Sequence, residues 1–517
     1  MPTFTPMYVE PGVYLEFADV AVPSAPPGIF IPAIVGTGKL TITTMSQVIK
    51  GAANGQDTLK YTPVFAITSI VDRAGKTYVQ GVDYQLTTNT VDWSLGGSEP
   101  ATGSTYFVTY TYIKGAANFN PYLTTRLDNI YALYGNPVFP NQLLTGTATA
   151  GAVGSITTGI TMTVDQYKGN YIKILSGTGV GQERLIISNT VAGIVYVAPN
   201  FTLASDVTSV FQINDISSNT ISIQAQISVR QGSTWIYVVQ IEDDTATGWQ
   251  NAIDSLQNID CYAVILAKGL ATGNSLLAYT KNHIDQMSSM LERKFRIALF
   301  GAPVNTTDTA DFISAANGLN DERCAYIAPS DQILNINGTG YIVDGSYLAA
   351  AISGIVCNPN YTWGEPISGK SVIVFDDVGD IFIRAEKNEM AANGVFVVER
   401  ENPGDFRVRH ALSTNPASPV TQELKVTRIK DGVARFVIRN LKNTFINTRN
   451  LGPESIANVT AFIKFLLGVV KGRRDIVDFD QVDVIQNVLE PRQIDLKIRI
   501  KPTFDINWMF VTLGVTI

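Results

Sequence analysis

The sequence predicts a multidomain α+β protein with an α/β middle domain, two inserted all-β modules and a C-terminal α+β domain. The length of 517 residues suits roughly three or four domains. The spacing of apolar residues also changes along the chain, from a period of two to a mixture of strand and helix periods. In addition, an apolar strand is predicted near each end of the sequence, which indicates strands that need a sheet edge.

Residues 1–28 are predicted to form a short strand on a linker. Val13, Tyr14 and Phe17 favour strands, and Leu15 continues the apolar run. The proline-rich residues 22–28 favour extended backbone. We therefore expect a strand that can reach away from the body of the chain.

The α/β middle domain is predicted from three separate stretches, residues 29–55, 115–140 and 223–370. Short apolar strands alternate there with helical patterns, and this alternation favours a mostly parallel sheet with both faces covered. The predicted strands are residues 29–35, 235–239, 261–266, 295–300 and 324–328. The predicted helices are residues 248–257, 275–293, 309–318 and 347–356.

Two all-β modules are predicted at residues 56–114 and 141–222, as insertions into the middle domain. Their apolar runs are short and rich in β-branched and aromatic residues, and Gly and Thr lie between them. The predicted strands are residues 64–72, 76–79, 106–113, 171–175, 184–187 and 194–197. The glycine-rich residues 177–181 lie between two strands, so a hairpin turn is favoured over a phosphate-binding loop.

Residues 371–501 are predicted to form the C-terminal α+β domain. Its predicted strands are residues 395–399, 406–409, 423–430 and 433–439. A helix is predicted over residues 453–471. Pro453 suits a first helical position, Glu454 favours the positive end of the helix dipole, and Gly472 ends the pattern.

A strand over residues 493–501 and an arm over residues 502–517 follow. Apolar side chains share one face of the strand at Ile494, Leu496, Ile498 and Ile500. The arm carries the large apolar residues Trp508, Met509, Phe510, Val511, Leu513, Val515 and Ile517. Chain ends are usually polar, so an apolar arm needs the edge of a sheet. That edge belongs either to a neighbouring copy or to the chain itself, and the strand pattern leaves both open.

The charge distribution argues against a general nucleic-acid-binding protein, since the formal charge is −7. The charge is also uneven. Residues 401–517 contain 17 Lys and Arg against 12 Asp and Glu, a net charge of +5, so residues 1–400 carry −12. This division suits a layered assembly in which the C-terminal region faces an acidic surface.

The cysteines and the lack of a targeting pattern favour a soluble chain made in the cytoplasm. Cys261, Cys324 and Cys357 show no CxxC spacing and are expected to be buried, reduced thiols. Residues 1–10 show no signal peptide. The apolar residues 461–470 contain Lys464 and are too short to span a bilayer, so no membrane insertion is expected.

No catalytic residue, metal site or cofactor is predicted. Gly38-Lys39 follows a strand, but Ala33 stands where a phosphate loop needs its first glycine. The two histidines, His283 and His410, lie far apart in sequence and are expected to have packing roles.

A cluster of aspartates near residue 480 is expected to form a solvated turn. It lacks the glycine and the terminal glutamate of a calcium-binding loop. The residues are Asp475, Asp478, Asp480 and Asp483.

Three stretches of the sequence resemble a known family. They are Pro11-Gly12-Val13-Tyr14, residues 347–354 followed by Lys370, and the stretch from Gly394 to the paired end strands around Pro502. In this order they resemble the tail sheath proteins of contractile-tailed bacteriophages and, more distantly, those of contractile bacteriocins and type VI secretion systems. The resemblance covers roughly residues 8–35 and 232–517.

The resemblance implies a structural protein without enzymatic activity or a cofactor. Subunits of such a sheath form a helical homopolymer around a tail tube, with a baseplate and a tail terminator at its ends, and contract to drive the tube through the host envelope. The resemblance further implies assembly in the host cytoplasm, a final place in the virion tail, and no nucleic-acid partner.

In such a sheath the terminal arms add strands to the C-terminal domains of neighbouring subunits. The resemblance therefore implies that residues 13–17 and 508–517 are donors. The acceptor strands would carry Phe436, Ile438, Ile494, Leu496, Ile498 and Ile500.

Basic residues at the end of the predicted helix 453–471 have two interpretations. Lys464, Lys471, Arg473 and Arg474 either stabilise the helix dipole or contact an acidic tube. Two other functions also stay open: a baseplate or fibre protein, and an enzyme built on the α/β region with β attachment modules.

Overall fold

A computed structural model of the chain describes residues 30–504, apart from residues 39–40, 62–63, 88, 114–120, 199, 216–218, 242–243, 337, 403, 446–452 and 490–492. Strands and helices are numbered in chain order. The described residues form six sheets, of which the largest has eight strands and the smallest has two.

The eight-stranded sheet is mostly parallel, as the alternation of strands and helices predicted. Its strands are β1 (Pro32–Gly36), β9 (Tyr122–Thr124), β17 (Ile236–Gln240), β18 (Ala263–Leu266), β19 (Ile297–Gly301), β20 (Cys324–Ala328), β24 (Val395–Asn402) and β25 (Asp405–His410). They lie in the order β25-β24-β20-β19-β18-β1-β17-β9, and only the outermost pairs, β24–β25 and β17–β9, are antiparallel.

Helices cover both faces of this sheet, so its central strands are buried throughout. One face packs against α1 (Leu127–Tyr134), α2 (Thr220–Arg230) and α6 (Gly345–Val356). The other packs against α3 (Ala246–Asp254), a 3₁₀ turn (Ser255–Asn258), α4 (Ser275–Met287), α5 (Thr309–Leu319) and α7 (Arg384–Ala392). The three cysteines are free thiols buried in this region, as predicted.

His283 lies in this buried region and has a packing role, as expected. Its Nε2 atom is 2.7 Å from a guanidinium nitrogen of the fully buried Arg296. Burial and the neighbouring Arg296 charge lower the pKa of His283 to about 3.

The first all-β module contains two sheets around an aromatic core. The larger sheet has the order β2-β8-β4-β5, from β2 (Thr41–Ile49), β4 (Val64–Asp72), β5 (Thr77–Tyr78) and β8 (Thr105–Ile113). The smaller has the order β3-β7-β6, from β3 (Gln56–Thr58), β6 (Gln85–Thr87) and β7 (Thr90–Asp92). The buried Asp57 carboxylate accepts hydrogen bonds from Trp93 Nε1 at 3.0 Å and the Tyr106 hydroxyl at 2.8 Å, so the core polar groups are paired.

The second all-β module is one antiparallel sheet of seven strands. They are β10 (Gln142–Thr147), β11 (Ala150–Ala152), β12 (Ser155–Thr157), β13 (Tyr171–Ser176), β14 (Glu183–Asn189), β15 (Ile194–Ala198) and β16 (Val210–Asn214), in the order β10-β16-β13-β14-β15-β12-β11. The glycine-rich residues 177–181 form the turn between β13 and β14, as predicted. Gly177, Gly179 and Gly181 have φ values of +79°, +81° and +84°, which favour glycine.

The remaining elements join the eight-stranded sheet to a final pair of strands. A three-stranded sheet has the order β22-β21-β23, from β21 (Gln332–Ile336), β22 (Thr339–Val343) and β23 (Asp377–Val378). After β25 come α8 (Pro419–Gln422), α9 (Leu424–Thr444), α10 (Pro453–Gly472), β26 (Ile476–Gln486) and β27 (Ile494–Pro502).

One secondary-structure prediction is wrong. Residues 423–430 and 433–439 were expected to be two strands, but all of them except Glu423 lie in the single helix α9. Its buried residues Val426, Ile429, Val433, Val437 and Leu441 recur every three or four positions, which is the helical period. Phe436 and Ile438 are therefore helical residues and not part of an acceptor strand.

Two strands pair with strands of a different domain from the one predicted for them. β2 pairs with β8 of the first all-β module, although residues 29–55 were expected in the middle domain. β24 pairs with β20, so residues 395–402 extend the sheet of the middle domain. The domain boundaries themselves stay predictions.

Candidate docking site

β26 and β27 form a two-stranded antiparallel sheet of their own, which we call the ribbon. No third strand of the described chain pairs with either of them. Each strand therefore has one edge without a neighbouring strand. Such an edge is a template for another strand, because its backbone groups point outward.

One face of the ribbon is apolar and packs on the body of the chain. The half-buried residues of this face that contact the hydrophobic core are Phe479, Val482, Val484, Ile494, Ile498 and Ile500. Leu496 lies opposite Val484 and stays 38% exposed. The predicted alternation along residues 493–501 is thus confirmed, and three of its four apolar residues contact the core.

The other face of the ribbon is mostly polar. Asp483 lies opposite Lys497, and Gln481 lies opposite Arg499. These facing pairs keep the outer surface hydrated. A further strand would therefore join at an edge of the ribbon and would not stack on its outer face.

Sequence analysis missed β26 because its apolar alternation is interrupted twice. The pairing register shifts between Ile476 and Asp478 and again between Phe479 and Gln481. Each shift moves the following side chains to the opposite face. The aspartates that were expected in a solvated turn lie along this strand or just before it. Among the described residues, no group of three His, Cys, Asp or Glu could hold a metal ion.

A latch of one exposed cation, one buried carboxylate and one indole ring fixes the ribbon to the body where β26 begins. The guanidinium of Arg473 lies 4.5 Å from the centre of the Trp363 ring, and its Nε atom lies 3.1 Å from the Asp475 carboxylate. The other oxygen of the fully buried Asp475 accepts a hydrogen bond from the Gly364 amide at 3.0 Å. A stacked cation and a fully buried carboxylate together set the direction of the ribbon.

Trp363 also packs against α9, so the ribbon is held to this helix as well. A Cβ atom on Gly432 would lie 2.3 Å from the Trp363 ring, so only glycine allows this contact. The Phe436 ring lies 6.2 Å from the same indole. The ribbon, the loop at residue 363 and α9 therefore form one packed unit.

Charged side chains clamp α9 to the eight-stranded sheet. Arg323 donates two hydrogen bonds of 2.8 Å to the two oxygens of Asp431, which is 1% exposed. Burial disfavours the charge of Arg323, but the Asp431 carboxylate outweighs burial and raises the pKa of Arg323. Arg435 donates to the Phe295 carbonyl at 2.6 Å. The clamp makes the ribbon continuous with the body through α9.

Helix α10 lies against the ribbon and exposes much of its surface. Val459, Ile463, Leu467 and Val470 are buried, whereas Phe465 is 63% exposed. By length and composition alone, Glu454–Gly472 is long and apolar enough to cross a membrane, and it is the one such helix in the described part of the chain. The prediction that this apolar stretch is too short therefore fails. A single helix of this kind is weak evidence for a membrane span, because core helices meet the same criterion.

The four predicted basic residues divide into two groups. Arg473 is held in the latch, and Lys471 lies 2.9 Å from Asp478. The hydrogen bond from Lys471 lowers the pKa of Asp478. Lys464 and Arg474 are exposed. Contact with a partner stays a prediction for these residues.

The two predicted arms lie outside the described residues. This applies to Val13, Tyr14, Leu15 and Phe17, and to residues 508–517. Their role as donors stays a prediction.

Comparisons with known proteins give one curated sequence relative. The tail sheath protein of Mycobacterium phage Bxz1 is 23% identical over 304 residues, which is 57% of this chain and 51% of the relative. The chain thus matches about half of that protein's length. A family model described as a domain of unknown function (DUF4815) matches residues 25–125.

Several solved structures show distant similarity. A sheath tail protein from Desulfitobacterium hafniense is 10% identical with a TM-score of 0.41, over 95% of this chain and 100% of its own. A sheath tail protein from Listeria innocua is 11% identical with a TM-score of 0.43, over 93% of both chains. The contracted helical sheath of the anti-feeding prophage is 11% identical with a TM-score of 0.44, over 59% of this chain and 84% of its own.

These TM-scores carry no weight for an assignment, so the sequence relative is the finding that bears on identity. It aligns with more than half of this chain. The resemblance to phage tail sheath proteins that the sequence motifs indicated is therefore confirmed.

Proposed function

We propose that this chain is the structural subunit of a contractile bacteriophage tail sheath. Copies would polymerise helically around a tail tube, meet a baseplate and a tail terminator at the ends, and contract to drive the tube through the host envelope. Assembly would take place in the host cytoplasm, and the product would be part of the virion tail. The observation that carries this proposal is the anchored ribbon, in which each strand has an edge that no strand of the described residues covers.

Strand addition would complete the ribbon. A ten-residue arm gains about ten hydrogen bonds worth about 1 kcal/mol each, whereas ordering it costs about 1–2 kcal/mol per residue. Backbone pairing alone therefore does not hold the arm. Burial of five apolar side chains at about 2 kcal/mol each adds about 10 kcal/mol. This burial supplies the net free energy that holds the arm in place. In the C-terminal arm these residues are Met509, Val511, Leu513, Val515 and Ile517.

This contact would be heterologous, because the arm and the ribbon are different surfaces. A heterologous contact that does not close into a ring builds an open helix. The proline-rich residues 22–28 would allow subunits to change orientation while the strand pairs persist. Contraction would then be a rigid-body motion between two packings.

The tail tube would be contacted by the exposed basic surface of α10. The four cations on and just after this helix are all exposed. Lys471 is paired with Asp478 and Arg473 with Asp475, whereas Lys464 and Arg474 carry the proposed contact. We propose an intermittent contact with an acidic tube. Arg473 is assigned instead to the latch.

An enzyme built on the eight-stranded sheet is disfavoured by the packing at its strand ends. Ligands of α/β sheets usually bind in a crevice beyond the carboxyl ends of the strands. Here α6 begins in that position, and a Cβ atom on Gly301 would lie 1.9 Å from the Gly345 backbone. The Gly345 amide also donates to the Ala302 carbonyl at 2.9 Å. This contact fills the space that a substrate would need.

Deletion of residues 508–517 tests the proposed function. Electron microscopy of the full chain should show hollow cylinders, and the truncated chain should give none. Circular dichroism and thermal unfolding of the truncated chain should match those of the full chain, which shows that it still folds. Intact cylinders from the truncated chain would contradict arm donation. Sedimentation as discrete trimers of the full chain would favour a fibre protein instead.

A further inference from the structure

Strand β2 is an edge strand without the usual protection against pairing. Among the strands that the structure describes, its nine residues pair with β8 alone, on one side and in an unbroken register. The strand contains no charged residue, no proline and no bulge. These are the features by which proteins normally block edge-to-edge association.

Other edges in the described chain are shorter or charged. β5, at the opposite edge of the same sheet, has two residues and follows Lys76. β25 contains Asp405, Arg407 and Arg409, and Arg407 is bridged to Ser371. After β2, the longest uncharged edge among the described strands is β10, with six residues. The all-β modules thus carry one long uncharged edge in unbroken register, β2, and one shorter uncharged edge, β10, whose register shifts only at its start, between Gln142 and Leu144.

Both edges also expose apolar side chains. Met45 and Ile49 on β2 are each 66% exposed. Leu143 on β10 is 45% exposed, and Thr145 and Thr147 continue the same exposed face. A paired strand would cover these side chains from water.

The contact between the two modules lies away from both edges, and no second strand of the described chain pairs with either of them. The modules meet at a cavity of about 130 Å³ lined by Ile67 of β4 and by Leu185 and Ile187 of β14, among others. β2 is two strand positions from β4, and β10 is three from β14. At about 5 Å per strand, the edges lie about 10 and 14 Å from the joint.

We propose that β2 of one copy pairs with β10 of a neighbouring copy, so that their all-β modules share a continuous sheet. The proposal rests on the proposed helical sheath. A sheath whose subunits all point the same way has no two-fold axis between neighbours, so an edge must meet a different edge. Neither strand contains a charge, so the pairing brings no like charges together. The contact is secondary to arm exchange and strengthens tubes that the arms build.

Cysteine cross-linking in assembled tubes tests this pairing. Met45→Cys is combined in turn with Leu143→Cys, Thr145→Cys and Thr147→Cys, and a short bismaleimide is added. The native cysteines are buried and leave the background low. At least one pair should give a ladder of covalent multimers on a denaturing gel, with more than tenfold the yield of the single Met45→Cys variant.

The outcomes separate this inference from the proposed function. Absence of tubes from the wild-type chain would overturn both. Normal tubes without a ladder from any of the three pairs would overturn the inference alone. Dimers from the single Met45→Cys variant would also overturn it, because they show two β2 strands meeting.

A charge variant gives an independent measurement. Met45→Lys with Gln47→Lys places two cations beside the β2 edge. Tubes should still form, but they should dissociate several-fold faster on dilution. The matched control is Val82→Lys, in the same module at a position that is 61% exposed and off the edge. Equal dissociation rates for the edge variant and the control would contradict the pairing.

Discussion

The eight-stranded sheet and the ribbon both contain apolar strands, but they bury them in different ways. Every residue of β18 is buried, because neighbouring strands lie on both sides and helices cover both faces. In the ribbon, one face is half-buried, the other is mostly polar, and each strand has an edge beside which no other described strand lies. The central strands of the sheet are paired on both sides within one copy, whereas each strand of the ribbon has an edge that no described strand covers.

This difference assigns the stability of the subunit and the association between subunits to two different regions. Interactions in the eight-stranded sheet set the free energy of unfolding of the subunit. Interactions at the ribbon edges would set association in the proposed sheath. The Trp363 latch holds the ribbon to α9, and the α9 clamp holds that helix to the sheet. The two regions are therefore connected by side-chain contacts.

Breaking the clamp should have the largest effect. Asp431→Asn leaves Arg323 with a buried, uncompensated charge and should lower the free energy of unfolding by about 3–5 kcal/mol. Urea unfolding of the subunit measures this loss. The matched control is Glu322→Gln, which removes the partly exposed partner of Lys430 and should cost about 0–1 kcal/mol. Equal losses in both variants would show that the clamp is not buried as described.

Replacing an isoleucine by alanine in each of the two regions should give clearly different losses of stability. Ile265→Ala removes a fully buried side chain of β18 and should cost the subunit about 2–5 kcal/mol. Ile498→Ala removes a half-buried side chain of the ribbon and should cost about 1 kcal/mol.

The two variants should affect tube formation in the opposite order to their effect on the stability of the subunit. Ile498→Ala should reduce the yield of tubes seen by electron microscopy more than Ile265→Ala, at a temperature where both subunits are folded. A larger loss of tubes from Ile265→Ala would break the proposed division between stability and assembly.

Acid should destabilise the sheet region through His283. Its folded pKa of about 3 lies below its ordinary value of 6.5, so the unfolded chain binds the proton more tightly. The contribution is therefore complete above pH 6.5 and is lost as the pH falls toward 3. Between pH 7 and pH 5 the wild type should lose about 2 kcal/mol more than His283→Gln, in urea unfolding at each pH. An identical pH dependence of the two proteins would contradict this assignment.

Weakening the latch should have the smallest effect. Arg473→Lys keeps the charge beside Asp475 but loses the planar stacking on Trp363, a difference of less than about 1 kcal/mol. Hydrogen exchange of the β26 and β27 amides should become a few-fold faster, while exchange in β18 stays unchanged. Arg474→Lys, at the adjacent exposed position, is the control and should change neither.

Sequence periodicity predicted the elements whose local pattern agrees with their final environment. The strands of the eight-stranded sheet are short apolar runs, and β20 was predicted with the bounds Cys324–Ala328. Helix α10 was predicted from its terminal signals and differs by one residue at its end. In these elements, local propensity and tertiary packing favour the same structure.

Contacts between residues far apart in the sequence determine the features that periodicity did not predict. In α9 the short apolar runs near residues 426 and 437 look like strands when read separately, and they form one helix because one side packs on the sheet through Val433 and the clamp. In β26 two register shifts hide the alternation from any fixed period. The latch joins Trp363 to Arg473, more than 100 positions apart, which no local pattern reveals.

The alternating sheet region, the β-rich character of the two inserted stretches, the apolar face of β27 and the resemblance to tail sheath proteins were all predictable from the residues alone. These follow from residue type and spacing, which are local. Packing sets the rest: that β26 and β27 form a two-stranded ribbon, that the exposed Arg473 stacks on Trp363, and that β2 is a long uncharged edge among the described strands. Each of those depends on which backbone or side chain lies beside another, and that is set by packing across the whole fold.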